Sequence, residues 1–136
     1  MDKKLKHLEM IECVIERMGS NSFKLKGWAV TLLTILGALT VKETDKSFML
    51  WLSIPLVAFW FLDAYYLQVE RKYKKLYTII AAKDESQIDF NMSTEIIKHE
   101  CNLSYFNCFM SKTEIIFYGV LILVVIFAMC TLNVLP

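Results

Sequence analysis

The sequence predicts an all-α integral membrane protein with three transmembrane helices, an N-terminal amphipathic helix and a small helical cytoplasmic cap. Two observations lead to this fold class. The chain has 136 residues, 56% of them hydrophobic, and its mean hydropathy of +0.43 exceeds that of an ordinary soluble domain. Its apolar residues are also concentrated in three runs rather than spread along the chain. This length allows one domain.

Residues 1–19 are predicted to form a cytoplasmic amphipathic helix. Leu5, Leu8 and Ile11 recur at helical spacing, whereas acidic residues occupy other faces. Gly19 is followed by Ser-Asn-Ser, and this pattern predicts that the helix ends there. Because its polar face carries mixed charge, we expect the helix to pack on another helix rather than bind lipid.

Residues 23–41 are the first predicted span, TM1. Its uncharged part, 27–41, extends about 22 Å at 1.5 Å per residue, which is shorter than the ~30 Å hydrocarbon core. The span therefore needs the residues before Gly27, with the long side chains of Lys24 and Lys26 reaching towards the interface.

Residues 48–67 are the second predicted span, TM2, with about the 20 residues that a crossing helix needs. The link at residues 42–47 is short, so the first two spans are expected to form an antiparallel hairpin.

Residues 68–112 are predicted to be a cytoplasmic helical segment. TM2 is expected to continue as a helix through residue 82, and the polar stretch 83–94 is typical of turns. A further helix is predicted at roughly 95–110. The segment is too short for an independent enzyme domain.

Residues 113–133 are the third predicted span, TM3. Ser111 and Glu114 have the spacing of a capping box, in which the two side chains satisfy each other's backbone N–H groups, so the helix is expected to begin at Ser111.

Basic residues predict the orientation. They are abundant before TM1 and just after TM2, and the second group is an inner-leaflet basic cluster of Arg71, Lys72, Lys74 and Lys75. By the positive-inside rule, the N-terminus and residues 68–112 face the cytoplasm, whereas the 42–47 link and the C-terminus face the periplasm or exterior.

One acid lies inside the second predicted span. In an antiparallel hairpin with its turn at 42–47, residues at equal depth have numbers that sum to about 89, and Lys26 and Asp63 meet this condition. The sequence thus predicts an intramembrane ion pair between them. Two alternatives are that Asp63 reaches interfacial water, or that it lines a pathway between subunits.

TM1 also carries a stripe of small and hydroxyl residues at helical spacing, Gly27, Thr31, Thr34 and Ala38. Such residues let helices pack closely in lipid. The alternative is that the two threonines line a water-filled pore formed by several copies.

The sequence contains no motif for catalysis or for a cofactor. Phosphate-binding loops, zinc-protease motifs and nucleophile elbows are absent. His99, Cys101 and Cys108 lack a fourth metal ligand. His7 is expected to be an ordinary surface or interface side chain. A net charge of +1 gives no reason to expect nucleic acid as a partner. We therefore expect no enzyme, cofactor or metal.

Four stretches, 20–28, 59–77, 89–94 and 111–119, resemble segments of small bacterial membrane proteins that share this order of elements. The helix, the two-span hairpin and the long inner helix also resemble the SLATT class, two-transmembrane effectors of bacterial nucleotide-signalling defence systems. The chain departs from that class by its third span and its short cytoplasmic segment.

The resemblance implies an oligomeric effector in the bacterial inner membrane that forms a pore or disrupts the membrane in an anti-phage, abortive-infection-type response. Its expected partners are the lipid bilayer, further copies of the chain, and a soluble signalling or sensor protein encoded nearby. The alternative is a non-conducting membrane anchor or adaptor that holds a soluble partner.

Overall fold

The computed structural model of the protein describes residues 2–42, 48–98 and 103–131. Every regular element in these ranges is helical, which confirms the all-α prediction. The α-helices are α1 (Asp2–Lys42), α2 (Phe48–Ala82), α3 (Tyr105–Phe109) and α4 (Lys112–Thr131). The predicted link between the first two spans lies outside the described residues except for Lys42, as do His99, Cys101 and residues 132–136.

Helix α1 runs without a break through Gly19, so the predicted helix end at that residue is wrong. At 1.5 Å per residue its 41 residues extend about 60 Å. Gly19 lies against α2, where an added Cβ atom would be 3.9 Å from Glu70 Oε2. Tertiary packing on both sides of Gly19 supports a helix that the local sequence favours weakly.

Helices α1 and α2 pack as an antiparallel pair. Ile11 shares a core with Leu76 and Ile80, Lys26 contacts Asp63, and Ala29 shares a second core with Leu56. The residue numbers of these pairs sum to between 85 and 91, close to the value of about 89 that the short link predicts. The continuation of TM2 as a helix through residue 82 is also present in α2.

Helix α4 packs along α2 and runs antiparallel to it. Glu114 lies beside Lys26, and one turn later the Tyr118 hydroxyl donates to the carbonyl of Phe59, one turn before Asp63. Buried residues of α4 recur at helical spacing and join the core of Ala29 and Leu56: Tyr118, Leu121, Val125 and Met129. The chain thus has an apolar three-helix half and a more polar half.

Two apolar cores lie at different levels of the helix pair. The upper core contains Ala29, Leu56 and the four buried residues of α4 just named. The lower core contains Ile11, Leu76, Ile80, Ile97 and Leu103. The residues between these levels include the buried acids Asp63 and Glu114.

The connection between α2 and α4 differs from the predicted helix at roughly 95–110. Among its described residues, single 3-10 turns occur at Glu85–Gln87 and Glu95–Ile97, and α3 has only five residues. Ile97 and Leu103 both enter the lower core. The side-chain amide of Gln68 in α2 donates a hydrogen bond to the Leu103 carbonyl at 3.0 Å. This bond ties the connection to α2.

Two helices in the described part of the chain are long and apolar enough to cross a membrane, over Asp2–Leu39 and Lys112–Thr131. This judgement rests on length and composition. The structure is thus compatible with a membrane protein, and the number of crossings stays a prediction.

Candidate functional site

Lys26 lies at the centre of a polar cluster between α1, α2 and α4. Its ammonium contacts Asp63 of α2 and Glu114 Oε1 of α4, the latter at 2.9 Å. It also donates to the hydroxyl of Ser22, one turn earlier in α1, at 3.0 Å. One side chain therefore connects three helices that are far apart in sequence.

Asp63 accepts hydrogen bonds from both neighbouring helices. Oδ1 accepts from the Ser22 hydroxyl, and Oδ2 accepts from Lys26 and from the Tyr118 hydroxyl, the last at 2.9 Å. Asp63 has no exposed surface. A buried carboxylate needs such donors because its desolvation otherwise costs several kcal/mol, so these contacts explain how the acid is tolerated in an apolar run.

Glu114 joins the cluster instead of completing the predicted capping box. Its Oε1 atom accepts from Lys26, and the Ser111 backbone N–H donates to the Cys108 carbonyl at 3.1 Å. The helix does begin next to Ser111, at Lys112. The capping-box prediction for Glu114 is therefore wrong, since a buried ammonium is a stronger partner for a carboxylate than a backbone N–H.

The charges of this cluster do not balance when all three groups are ionised. Two carboxylates share one ammonium, and the exposed side-chain fractions are 18% for Lys26, 0% for Asp63 and 2% for Glu114. Glu114 Oε2 is buried and has no hydrogen-bond partner in the described part of the chain. We call Ser22, Lys26, Asp63, Glu114 and Tyr118 the ionic cluster.

Aromatic rings close the ionic cluster on the α2 and α4 side. Trp60 stacks on Phe109 and on Tyr118, with ring centroids 4.5 Å and 5.7 Å apart. The Trp60 indole N–H donates to the Phe109 carbonyl at 3.3 Å. Lys26 Nζ lies 5.7 Å from the centre of the Phe117 ring, within the range of a cation–π contact.

The small-residue stripe of TM1 lies away from α2 and α4. Gly27, Thr31, Thr34 and Ala38 are all exposed, and a Cβ atom on Gly27 would meet no atom within 4 Å. The hydroxyls of Thr31 and Thr34 donate to the carbonyls of Gly27 and Val30 at 2.9 Å and 2.8 Å. The described part of the chain therefore leaves the stripe exposed.

The four residues of the predicted basic cluster have different surroundings. Arg71 Nη1 lies 3.7 Å from the Cys108 sulfur, and Lys74 pairs with Glu70 at 2.6 Å, one turn earlier. Lys74 and Lys75 are exposed, and Lys72 is half-buried. Arg71 thus points towards α3, and the four basic residues do not form one continuous surface.

Burial raises the pKa of the Cys108 thiol, although Arg71 opposes this effect. Cys108 has no exposed surface, whereas Cys13 and Cys130 are exposed free thiols. Among the described residues no group of three or more His, Cys, Asp or Glu side chains could hold a metal ion.

His7 is fully buried, so it does not lie at the surface, which is one of the two places expected for it. Its ring centroid lies 5.5 Å from that of Phe90, and neither ring nitrogen has a partner among the described residues. Phe90 has a positive φ of 55°, in the left-handed region that non-glycine residues rarely adopt. Side-chain acceptors at Asp89, Asn91 and Ser93 form successive turns around it.

Sequence reasoning found two of the five residues of the ionic cluster. Lys26 and Asp63 could be paired because a short link fixes the depth of two consecutive helices. Glu114 and Tyr118 share a face of α4, four residues apart, but the connection before α4 leaves its register open. Ser22 carries no sequence signal beyond its position one turn before Lys26.

Comparison with known proteins gave no matching family model, no matching curated protein and no matching solved structure.

Proposed function

We propose that this chain is a three-span protein of the bacterial inner membrane that self-associates through α1 and, when triggered, permeabilises the membrane as a defence effector. The observation that carries the proposal is the uncovered small-residue stripe of Gly27, Thr31, Thr34 and Ala38.

The exposed apolar surface of the three-helix half supports a membrane location. On α4 the exposed fractions are 66% for Ile116, 64% for Leu123 and 70% for Phe127. On α2, Trp51 and Ile54 are 66% and 59% exposed. Contiguous apolar surface of this extent is unusual for a monomer in water, whereas lipid is a favourable environment for it.

The stripe supports self-association because small residues allow close approach of helix backbones in lipid. Its threonine hydroxyls already donate within α1, so they need no water to satisfy their protons. Close helix packing is therefore the first role that we assign to the stripe. Permeabilisation follows when several copies assemble around a common axis and their hydroxyl oxygens, which can still accept hydrogen bonds, face the opening.

Substituting Gly27→Leu tests self-association. A Cβ atom added at Gly27 meets no atom within 4 Å in the described part of the chain, so we expect the monomer to keep its fold, while close approach of a second α1 is blocked. We expect the wild-type mass in lipid nanodiscs to be that of an oligomer and the variant mass to be that of a monomer. Gly119→Leu is the matched control, because a Cβ atom on Gly119 of α4 also meets no atom within 4 Å.

Membrane potential tests the activity. Cells that express the protein together with its genomic neighbours should depolarise after triggering, as followed with a voltage-sensitive dye. The double substitution Thr31→Leu and Thr34→Leu should abolish this response. Thr78→Leu is the control, since Thr78 makes the same type of hydroxyl bond, to the Lys74 carbonyl, outside the predicted spans.

A non-conducting anchor for a soluble partner is the second candidate. It is favoured by exposed apolar side chains outside the predicted spans, Leu5 at 57% and Ile96 at 65%. If the anchor function is correct, the membrane potential stays normal under every triggering condition, and Leu5→Ser with Ile96→Ser releases the partner. A monomeric mass for the wild type in nanodiscs would contradict the effector proposal.

A further inference from the structure

We propose that the ionic cluster is a proton-binding site, in which the carboxyl pair of Asp63 and Glu114 holds one exchangeable proton, carried on Glu114 Oε2. The site goes beyond the proposed function, because it is formed within a single chain and does not depend on self-association.

The charge balance of the cluster is the first argument. Fully ionised, Asp63 and Glu114 leave one negative charge uncompensated beside the single ammonium of Lys26. Both carboxyl groups contact that same nitrogen, which places them within the ~4–6 Å over which like charges oppose simultaneous ionisation. One bound proton leaves a neutral group of one ammonium, one carboxylate and one carboxylic acid.

The distribution of hydrogen-bond donors identifies the oxygen that carries the proton. Both oxygens of Asp63 accept hydrogen bonds, from Ser22, Lys26 and Tyr118. Glu114 Oε1 accepts from Lys26. Within the described ranges, Glu114 Oε2 is the one carboxyl oxygen of the pair without a donor, and it is buried.

Among the residues that the structure describes, Lys26 is the one cation that contacts either carboxyl group. The ionisable or hydroxyl groups facing the pair are Ser22 and Lys26 from α1 and Tyr118 from α4. Arg71 of α2 is directed at the Cys108 sulfur of α3, with its Nη1 atom 3.7 Å from that sulfur. The other neighbours are the aromatic rings of Trp60 and Phe117.

The site places a removable proton at the joint between α4 and the α1–α2 pair. Loss of the proton restores the uncompensated charge at a buried position, which weakens the docking of α4. The docking of α4 is therefore stable while Glu114 is protonated. It becomes weaker when the pH rises far enough for the proton to dissociate.

Infrared spectroscopy of the purified full chain in lipid vesicles tests the site. A protonated carboxyl group gives a C=O stretch that is separate from the bands of carboxylates and shifts in D₂O. At neutral pH, where exposed acids are ionised, we expect one such band per chain. Glu114→Gln removes the proton carrier, and Asp63→Asn leaves Glu114 as the sole counter-ion of Lys26, so both variants should lose the band.

Glu16→Gln is the matched control, because Glu16 is an exposed acid of α1 and its removal should leave the band unchanged. Circular dichroism shows whether each variant keeps its helices. The wild-type spectrum alone can overturn the proposal: absence of the band at neutral pH means that both acids are ionised. A band that persists in folded Glu114→Gln and Asp63→Asn belongs to another group and also overturns it. Neither result bears on the nanodisc mass or the membrane potential.

Discussion

Lys26 matters more to this structure than either acid that it binds. Removal of Asp63 leaves the ammonium paired with Glu114, and removal of Glu114 leaves it paired with Asp63. Removal of Lys26 leaves two buried acids, of which Asp63 keeps the hydroxyl donors Ser22 and Tyr118 and Glu114 loses the donor to its Oε1 atom. The effect of a substitution at the ionic cluster is thus set by the charge that it leaves unpaired.

Lys26→Met should therefore be the most destabilising single substitution of the cluster. Breaking a buried pair by removing one partner costs about 3–5 kcal/mol, and we expect thermal unfolding in detergent to begin at a clearly lower temperature. Lys24→Met is the matched control, since Lys24 lies on the exposed side of α1 two residues away. Equal melting temperatures for the two variants would show that Lys26 does not hold the cluster together.

Cys108 offers a separate test of burial at α3. Because burial raises its pKa, less of its thiol is in the reactive thiolate form at a given pH than in an ordinary cysteine, and the fraction rises only at higher pH. In single-cysteine variants we expect maleimide labelling of Cys108 to be on the order of tenfold slower than that of the exposed Cys13 at neutral pH. Similar labelling rates would mean that the packing of α3 against the rest of the protein does not bury this thiol.

The predictable part of the site is the part fixed by local geometry. The short link sets the relative depth of α1 and α2, so Lys26 and Asp63 could be matched by counting residues. The spacing between Ser111 and Glu114 is a local signal, and it predicts a capping box. The ammonium that competes for this carboxylate is 88 residues away, and no local pattern reports such a contact.

At the scale of the elements, the main difference from the prediction is the unbroken α1. Gly19 followed by Ser-Asn-Ser is a common helix end, but here α2 offers continuous packing through the residue where the end was expected. The opposite error occurs after residue 94. Apolar residues with helical spacing predict a helix there, whereas the described residues form a 3-10 turn at Glu95–Ile97 and the five-residue α3, and Ile97 and Leu103 lie in the lower core.

Gly19→Ala tests the continuity of α1. In a helix interior alanine is favoured over glycine by about 0.5–1 kcal/mol, and the added Cβ atom makes an ordinary van der Waals contact with Glu70. We expect a small rise in the melting temperature. Had the helix ended there, glycine would be preferred for its left-handed conformation and alanine would destabilise the protein. The same change at Gly37, also within α1, controls for the general gain in helix propensity.

At the scale of the whole molecule, the ionic cluster lies between an apolar three-helix half and a polar half built from the ends of α1 and α2 that lie away from the link. A bilayer that covers the apolar half places the cluster near one of its surfaces, where the cost of burying charge is lower than at the centre. The membrane-facing role of α1, the docking of α4 and the proposed proton site all depend on this placement.

The number of crossings and their direction are the central claim, and labelling of single cysteines in bacterial spheroplasts tests them directly. With the other cysteines replaced by serine, three variants carry Cys13, Thr44→Cys or Pro136→Cys. A maleimide that does not cross membranes should label Thr44→Cys and Pro136→Cys in intact spheroplasts, and Cys13 only after lysis. Labelling of Pro136→Cys only after lysis would contradict three crossings and, with them, the membrane placement of the cluster.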